Sequence, residues 1–313
     1  MEKVSLGAGS LQSSRLAYGC WRIAGTWVAA EVTPDLEAKG RQAVMAAYEA
    51  GFTLFDLADI YCDGMAERIF GRALKQAPAM REKIIVATKC GIRKKGEPYS
   101  DSPYSYDFSA EHIVQSCEHS LKRIGIETID VYILHRPDYL ANPEEVASAF
   151  GQLQRSGKVR EFGVSNFRPS QLALLQKFCP MKLMVNQIEI SLAELGAFDD
   201  GRLDQCLAEK MTPLAWSPLD GGELATHHRT GAPIRHPVEL NLLDVLDAMA
   251  EAPGKSRTIL ALAWLLKHPA GIVPIIGSTN PANIREATEA AEVQLTRDEW
   301  YRLLEAARGE RLP

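Results

Sequence analysis

Four residues whose side chains can carry protons lie just after short apolar segments of the chain: Asp56, Tyr61, Lys89 and His135. The segments have the composition of buried strands and comprise residues 52–55, 84–88 and 131–134. A carboxylate, a phenol, an ammonium and an imidazole gathered at strand ends indicate a site for proton transfer.

Tyrosine is an unusual acid for this purpose, because the pKa of its phenol is ordinarily about 10. We expect Lys89 to favour the phenolate and so to lower the pKa of Tyr61, while Asp56 keeps Lys89 charged. A phenol tuned in this way could protonate a carbonyl oxygen while hydride arrives at the carbon.

Composition excludes several classes of protein. The chain has 313 residues, 46% of them hydrophobic, which is enough for a sizeable core. Its 35 basic and 40 acidic residues give a net charge of −5 without a long basic run, which argues against a nucleic-acid partner. The N-terminus lacks a signal-peptide core, and no apolar stretch could span a membrane. Six scattered cysteines without metal-ligand spacing are typical of reduced thiols, so we expect a cytoplasmic protein.

Short apolar runs alternate with longer amphipathic segments along the chain. We predict eight strands, at residues 16–18, 52–55, 84–88, 131–134, 161–164, 183–186, 212–215 and 271–274. We predict helices at residues 35–50, 66–74, 110–121, 143–154 and 257–266. Near-continuous apolar strands separated by helices predict an α/β fold with a parallel sheet. Eight such units form a (β/α)8 TIM barrel, here a single domain over residues 1–313, with its active site at the C-terminal ends of the strands.

An open doubly wound sheet is the second candidate fold. When such a sheet binds a dinucleotide, the motif G-x-G-x-x-G usually follows its first strand. Residues 16–21 lack this motif. We predict long loops on the barrel rim at residues 90–108 and at residues 220–237, which include His227 and His228. Ser109 is the expected N-cap of the helix after the first loop.

The strings around the four residues resemble the signatures of the aldo-keto reductase family. GFTLFDLADIY at residues 51–61 is similar to the signature around the family's catalytic aspartate and tyrosine, and Glu67 and Gly71 continue it. ATK at 87–89, LHRPD at 134–138 and GKVREFGVSNF at 157–167 are similar to its lysine strand, its histidine strand and its second signature. The matches keep the family's order and spacing from about Gly19 to Glu286. They are most similar to the bacterial oxidoreductase subgroup of uncertain substrate.

The resemblance implies a role for each of the four residues. Tyr61 would be the general acid that protonates the substrate oxygen. Lys89 would lower its pKa, and Asp56 would hold Lys89 in an ion pair. His135 would orient the carbonyl and share in the proton relay. No metal is implied, because Tyr61 and His135 would polarise the carbonyl.

The resemblance also implies a nicotinamide cofactor. Ser165, Asn166 and Gln187 would bind its carboxamide, and Trp216 would stack on its ring. The remaining implied cofactor contacts follow the first, second, seventh and eighth strands: Gly19, Cys20, Trp21, Asp56, Ser217, Leu219, Gly221, Gly277, Ser278, Thr279, Asn283 and Glu286. Residues 274–280 lead into a helix whose N-terminus suits a phosphate.

Two positions depart from the family's pattern. Members that prefer NADPH commonly have an arginine for the 2′-phosphate where this chain has Asn283, and an asparagine usually follows Glu286 where this chain has Ala287. Ser278, Thr279 and Arg285 could supply part of the phosphate site. Despite these departures, the habit of the family that the chain resembles leads us to expect NADPH, with NADH as the alternative.

Other candidate residues have simpler interpretations. Cys62 and Cys90 adjoin the proposed site but have no paired base, so we expect them in the pocket wall rather than as nucleophiles. His227 and His228 have no carboxylate or thiol at ligand spacing, so we expect an exposed loop rather than a metal site. Four aromatic residues could line the substrate mouth, although loop packing explains the last two equally well: Trp21, Trp27, Tyr104 and Tyr106.

The sequence thus predicts an NADPH-dependent reductase of small aldehydes or ketones, reversible as an alcohol dehydrogenase. The alternative is a regulatory subunit that binds the cofactor with little catalysis, as in the potassium-channel β-subunit branch of the superfamily. We expect the enzyme, because the sequence shows no N-terminal extension suited to the regulatory role. No feature of the sequence predicts an oligomeric state.

Overall fold

The structure, a computed structural model, describes residues 1–226, 240–251 and 254–312. Eight parallel strands form a closed barrel, in which each strand pairs with the next along the chain and the last pairs with the first. The strands are β1 Ala17–Gly19, β2 Leu54–Asp56, β3 Ile85–Cys90, β4 Ile129–Leu134, β5 Val159–Ser165, β6 Leu183–Glu189, β7 Thr212–Trp216 and β8 Val273–Ile276. The predicted barrel is confirmed, and each predicted strand overlaps an observed one.

Helices follow the strands around the outside of the barrel. Those of the described residues are α1 Pro34–Glu49, α2 Met65–Gln76, α3 Ala110–Ile124, α4 Pro143–Arg155, α5 Pro169–Phe178, α6 Gly196–Asp199, α7 Arg202–Glu209, α8 Leu240–Glu251, α9 Arg257–Leu266, α10 Pro281–Thr288 and α11 Arg297–Arg308. All five predicted helices are present, with ends that differ by a few residues at most. Across the described part of the chain, none of the helices has the length and apolarity that crossing a bilayer requires.

Local sequence signals set the ends of α3, the helix that precedes the histidine strand. The Ser109 hydroxyl accepts a hydrogen bond from the backbone N–H of His112, as predicted for an N-cap. The helix ends at Gly125, whose φ of 77° lies in the left-handed region that glycine adopts without steric cost. The chain therefore leaves the helix at Gly125 and continues to β4, which begins at Ile129.

Apolar side chains fill one layer inside the barrel and another between the strands and the helices. Leu54, Val131 and Leu214 belong to the inner layer. The N-terminal hairpin, Lys3–Ser5 paired with Gln12–Ser14, adds Leu6 and Leu11 to that layer. Its backbone also bonds to Thr212 at the start of β7. The hairpin therefore closes the N-terminal end of the barrel and leaves the C-terminal end for a site.

The predicted rim loops are only partly irregular. Cys90 belongs to β3, and residues 92–93 pair with residues 105–106 in a short antiparallel hairpin. Arg93 holds this hairpin through an ion pair of 2.7 Å with Asp107. The second loop begins with a tight turn at Asp220–Gly222, and its residues 227–237, with His227 and His228, lie outside the described residues.

Candidate active site

Lys89 lies fully buried near the C-terminal end of β3 and contacts two of the other predicted catalytic residues. Its ammonium donates hydrogen bonds to the Asp56 carboxylate at 2.8 Å, the Leu57 carbonyl at 2.6 Å and the Tyr61 hydroxyl at 3.0 Å. These acceptors take all three N–H bonds of the ammonium. Since the Tyr61 oxygen accepts from Lys89, the phenol's own hydrogen remains available for another acceptor.

Asp56 is held from two sides at the end of β2. One carboxylate oxygen accepts from Lys89, and the other accepts from the side-chain amide of Gln187 on β6 at 2.8 Å. Both Asp56 and Gln187 are buried. Because each charge of the Asp56–Lys89 pair is matched and hydrogen-bonded, the pair can persist away from water.

The pKa of Tyr61 lies above its ordinary value, so the prediction that it would be lowered is wrong in its net direction. Burial disfavours the phenolate and is the largest effect. Lys89 does act in the predicted sense and lowers the pKa, but it only partly offsets burial, and Asp56 raises the pKa further. The phenol is therefore fully protonated at neutral pH and can serve as a proton donor.

Burial also acts on Lys89, and it would by itself lower the pKa of the ammonium. Asp56 and Tyr61 outweigh it, so the pKa of Lys89 lies above its ordinary value. The ammonium thus stays charged beside the phenol throughout the physiological pH range.

His135 is the first residue after β4, and its backbone N–H donates to the Cys90 carbonyl at 2.9 Å. Its ring centroid lies 5.9 Å from that of Tyr61, with the two planes at 77°. Burial, together with the cations Lys89 and Arg136, holds the pKa of His135 well below its ordinary range. The imidazole is therefore neutral and offers one N–H donor and one acceptor nitrogen.

A cavity of about 730 Å³ opens at the C-terminal ends of the strands. This volume falls within the range of small-molecule and cofactor sites. Asp56, Tyr61 and His135 line it, whereas Lys89 lies behind Asp56 and Tyr61. All but one of the predicted cofactor residues line the same cavity: Gly19, Trp21, Asp56, Ser165, Asn166, Gln187, Trp216, Ser217, Leu219, Gly221, Gly277, Ser278, Thr279, Asn283 and Glu286.

Cys20 is the exception among the predicted cofactor residues. Its side chain is fully buried in the apolar layer between the strands and the helices, with Tyr18 and Ile23 in the same cluster. Only the backbone of Cys20 is therefore in a position to approach a ligand. Its neighbours in sequence, Gly19 and Trp21, do line the cavity.

A series of hydrogen bonds links the three predicted carboxamide-binding residues to one another and to Trp216. The Trp216 indole donates to the Asn166 side-chain oxygen at 3.0 Å, and the Asn166 amide donates to the Ser165 hydroxyl at 2.8 Å. The Ser165 hydroxyl donates to the Gln187 backbone carbonyl at 3.0 Å. Asn166 has a φ of 60°, a left-handed conformation that asparagine tolerates better than most residues. These bonds fix the orientation of each polar group at the cavity wall.

Another part of the cavity wall is formed by the segment that precedes α10 and by residues of α10 itself. Ser278 and Thr279 precede Asn280, the N-cap, whose side chain accepts from the Ala282 N–H. The exposed N–H groups of a helix N-terminus favour an anion such as a phosphate. Gly277 is required by close packing, since a Cβ there would lie 2.8 Å from the Trp21 indole nitrogen.

Asn283 lines the cavity at the position where the resemblance leads us to expect an arginine. Arg285, which could have compensated, is exposed and is not among the lining residues. The part of the chain that the structure describes therefore places three polar, uncharged side chains, Ser278, Thr279 and Asn283, around this part of the cavity, together with the acidic Glu286.

Several lining residues were not predicted, among them Arg22, Gly25, Thr26, Arg136, Gly222 and Thr258. Arg136 adjoins His135 in sequence, which is a signal that could have found it. Thr258 lies on α9, far along the chain, and has no local signal.

Of the aromatic residues predicted at the mouth, Trp21 and Trp27 line the cavity and lie against each other with centroids 5.3 Å apart. Tyr104 and Tyr106 contact each other instead, at 5.9 Å, and are not among the lining residues.

The cysteines near the site are poor nucleophiles. Burial raises the pKa of Cys62, and it raises that of Cys90 well above the ordinary value. Both thiols are therefore protonated at neutral pH, and all six cysteines of the chain are free and buried. In residues 1–226, 240–251 and 254–312, no group of three or more histidine, cysteine or acidic side chains has the geometry of a metal site.

Comparison with known proteins assigns the family. Residues 15–308 match the sequence profile described as the aldo/keto reductase family. The chain belongs to the aldo/keto reductase family. This aldo/keto reductase is 43% identical over 314 residues to a 6-dehydroglucose reductase of Novosphingobium aromaticivorans, covering 98% of this chain and 96% of the relative. It is 38% identical over 315 residues to the uncharacterized oxidoreductase YcsN of Bacillus subtilis, covering 100% of both chains.

Among solved structures, the glycerol dehydrogenase AKR11B4 of Gluconobacter oxydans superposes with a TM-score of 0.84 at 26% identity. The match covers 99% of this chain and 97% of that one. As an aldo/keto reductase with oxidoreductase relatives throughout its length, the chain is an oxidoreductase of a family that reduces small-molecule carbonyl compounds and generally binds nicotinamide cofactors.

Removing the charge of Lys89 tests whether the buried ion pair stabilises the site as a unit. We expect Lys89→Met to lower the free energy of unfolding by about 3–5 kcal/mol, because Asp56 is left as an uncompensated buried charge. The double variant Asp56→Asn/Lys89→Met should be more stable than Lys89→Met alone, since that charge is then gone. Urea unfolding of the three proteins measures both differences. A double variant no more stable than the single one would contradict this account.

Proposed function

We propose that the chain is an NADPH-dependent reductase of aldehydes or ketones in which Tyr61 is the general acid. The observation that carries the proposal is the direction of one hydrogen bond: Lys89 donates to the Tyr61 oxygen, so the phenol can donate its own hydrogen into the cavity. A carbonyl oxygen that gains negative charge is the acceptor such a donor suits.

The cavity wall fits a nicotinamide dinucleotide. Asn166 and Gln187, oriented by their bonds to Trp216 and Asp56, would hold the carboxamide, with Trp216 against the ring. Gly221 has φ 69° and no atom within 4 Å of an added Cβ, so a pyrophosphate could approach its backbone. Ser278 and Thr279 would meet the phosphates beside α10. When bound, the reduced nicotinamide supplies the hydride.

The protein's own groups manage the proton. Tyr61 donates its hydrogen to the carbonyl oxygen, and the adjacent Lys89 ammonium stabilises the phenolate that remains. Asp56 keeps Lys89 in place. The neutral imidazole of His135 donates its N–H to the same oxygen and so orients the carbonyl.

The relative of Novosphingobium aromaticivorans is named for a glucose-derived carbonyl compound. We therefore place 6-dehydroglucose and simple sugar aldehydes first in a substrate panel that also includes alkanals, diketones and quinones. Loss of NADPH absorbance follows the reaction. Turnover of none of these compounds, together with tight NADPH binding, would instead favour a regulatory subunit.

Tyr61→Phe removes the proposed acid with little change in shape. We expect kcat for reduction to fall by about 10²- to 10⁴-fold, the usual contribution of a general acid, with NADPH binding retained. Stopped-flow absorbance measures the rate, and cofactor fluorescence measures binding. The matched control is Tyr99→Phe, because Tyr99 is 73% exposed and is not a lining residue of the cavity. Undiminished turnover by Tyr61→Phe would refute the assignment.

The pH dependence of reduction follows from the pKa shifts of Tyr61 and His135, the two groups that are neutral at pH 7. Reduction needs protonated Tyr61, whose raised pKa places the loss of activity above about pH 10. His135 does not titrate near neutrality because its pKa is held well below 6.5. We therefore expect kcat/KM to be constant between about pH 7 and 9 with an uncharged aldehyde.

The ionisation of Asp59 falls within this pH range and needs a control in the experiment. Burial and the nearby Glu67 raise its pKa to about 8, although it is not among the lining residues. Asp59→Asn removes that ionisation and is measured beside the wild type. A fall in kcat/KM centred below pH 9 in both proteins would contradict the assigned protonation state of Tyr61.

Cofactor preference is tested at Asn283. We expect the wild type to have a higher kcat/KM with NADPH than with NADH. Asn283→Arg should raise the ratio of the two by roughly tenfold or more, because a guanidinium forms charge-assisted hydrogen bonds to the 2′-phosphate. Asn283→Gln, which adds length without charge, is the matched control. A clear wild-type preference for NADH would end the NADPH assignment.

A further inference from the structure

Arg136 is a cation at the reaction end of the cavity that the proposed mechanism does not use. It directly follows His135, is half-buried, and lines the same cavity as Tyr61. Its guanidinium carbon lies 5.3 Å from the centroid of the Trp216 ring. This cation–π contact places the guanidinium beside Trp216, another residue of the cavity wall.

Two other partly buried arginines of the chain are neutralised by carboxylates. Arg123 pairs with Glu67, and Arg93 pairs with Asp107. For Arg136, by contrast, no side-chain hydrogen bond or ion pair joins it to any of the described residues. A half-buried guanidinium without such a partner retains its capacity to bind an anion.

The cavity does not supply that anion itself. Among the described residues that line it, the carboxylates are Asp56 and Glu286. Both oxygens of Asp56 are occupied by Lys89 and Gln187. Glu286 lies on α10, and no ion pair joins it to Arg136. Among the described residues, neither lining carboxylate therefore pairs with the Arg136 guanidinium.

The field of Arg136 reaches the reacting groups. After burial, Lys89 and Arg136 are what hold the pKa of His135 down, so the guanidinium lies within electrostatic range of the imidazole. Because Arg136 follows His135 in the chain and lines the same cavity as Tyr61, a substrate whose carbonyl contacts Tyr61 and His135 could present an anionic group to Arg136.

We propose that Arg136 determines specificity by binding an anionic group, a carboxylate or a phosphate, a few atoms from the substrate carbonyl. The inference rests on the proposed carbonyl reduction. The guanidinium fork can donate two parallel hydrogen bonds to either anion, which fixes both the position and the orientation of the substrate.

Matched substrates test the proposal. Succinic semialdehyde is compared with butanal, which has the same carbon chain without the carboxylate, and glyceraldehyde 3-phosphate is compared with glyceraldehyde. The measured quantity is the ratio of kcat/KM for the anionic over the neutral member of each pair, at saturating NADPH. The variants are Arg136→Gln, Arg136→Lys and, as a matched control, Arg302→Gln on the exposed face of α11.

We expect at least one ratio to exceed about ten in the wild type and to fall by roughly tenfold or more in Arg136→Gln. Arg136→Lys should restore part of the preference, because it keeps the charge but loses the fork, and Arg302→Gln should leave it intact. The pair that responds identifies the anion as carboxylate or phosphate. Ratios near one in the wild type for both pairs, or ratios that Arg136→Gln does not lower, overturn the proposal.

A binding measurement separates this proposal from the proposed function. Quenching of tryptophan fluorescence reports the Kd of 4-hydroxybutanoate and of inorganic phosphate for the NADP⁺-loaded protein, with butan-1-ol as the neutral control. We expect Arg136→Gln to weaken anion binding by roughly tenfold. If neutral aldehydes are turned over but Arg136→Gln changes neither anion binding nor the kcat/KM ratios, only the inference about Arg136 is wrong. If no carbonyl compound is turned over, the proposed function is wrong. If, in addition, Arg136→Gln leaves the Kd for the anions unchanged, the inference about Arg136 is wrong as well.

Discussion

The buried ion pair of Lys89 and Asp56 is the interaction on which the site depends. Placing an ammonium and a carboxylate away from water is costly, and the cost is met only if every donor and acceptor is satisfied. Here the ammonium has three acceptors and the carboxylate has two donors. These partners come from β2, β3, β6 and the segment after β2, so the charges can be buried only when the closed barrel brings those elements together.

The same bonds join the two halves of the cavity. From Tyr61 the connection runs through Lys89 and Asp56 to Gln187. From the Gln187 backbone it continues through Ser165 and Asn166 to Trp216. The group proposed to donate the proton and the groups proposed to hold the carboxamide are thus oriented by one connected set of side chains, which has few alternative arrangements in a dry interior.

The sequence predicts the barrel well because its strands are continuous apolar runs. The structure brings the predicted site residues together because each lies at or just after a strand end. Helix α5 was missed because its apolar residues lie on two faces: Leu172 and Leu175 are buried, whereas Leu174 is exposed. The sign of the Tyr61 pKa shift was missed for a different reason. Proximity to Lys89 can be read from motifs, but the degree of burial depends on residues such as Trp27, whose ring packs edge-on against Tyr61.

The charges of the site are divided between two kinds of group. Lys89 is a cation whose raised pKa keeps it charged at physiological pH, and Arg136 supplies a second positive charge. Tyr61 and His135, the groups proposed to touch the substrate oxygen, are both held neutral, the phenol chiefly by burial and the imidazole by burial together with the two cations. The neutral groups can therefore exchange a proton with the substrate while the field around them stays constant. In the proposed mechanism, such a site keeps Tyr61 protonated before the substrate arrives, and Lys89 stabilises the phenolate that forms after the proton has left.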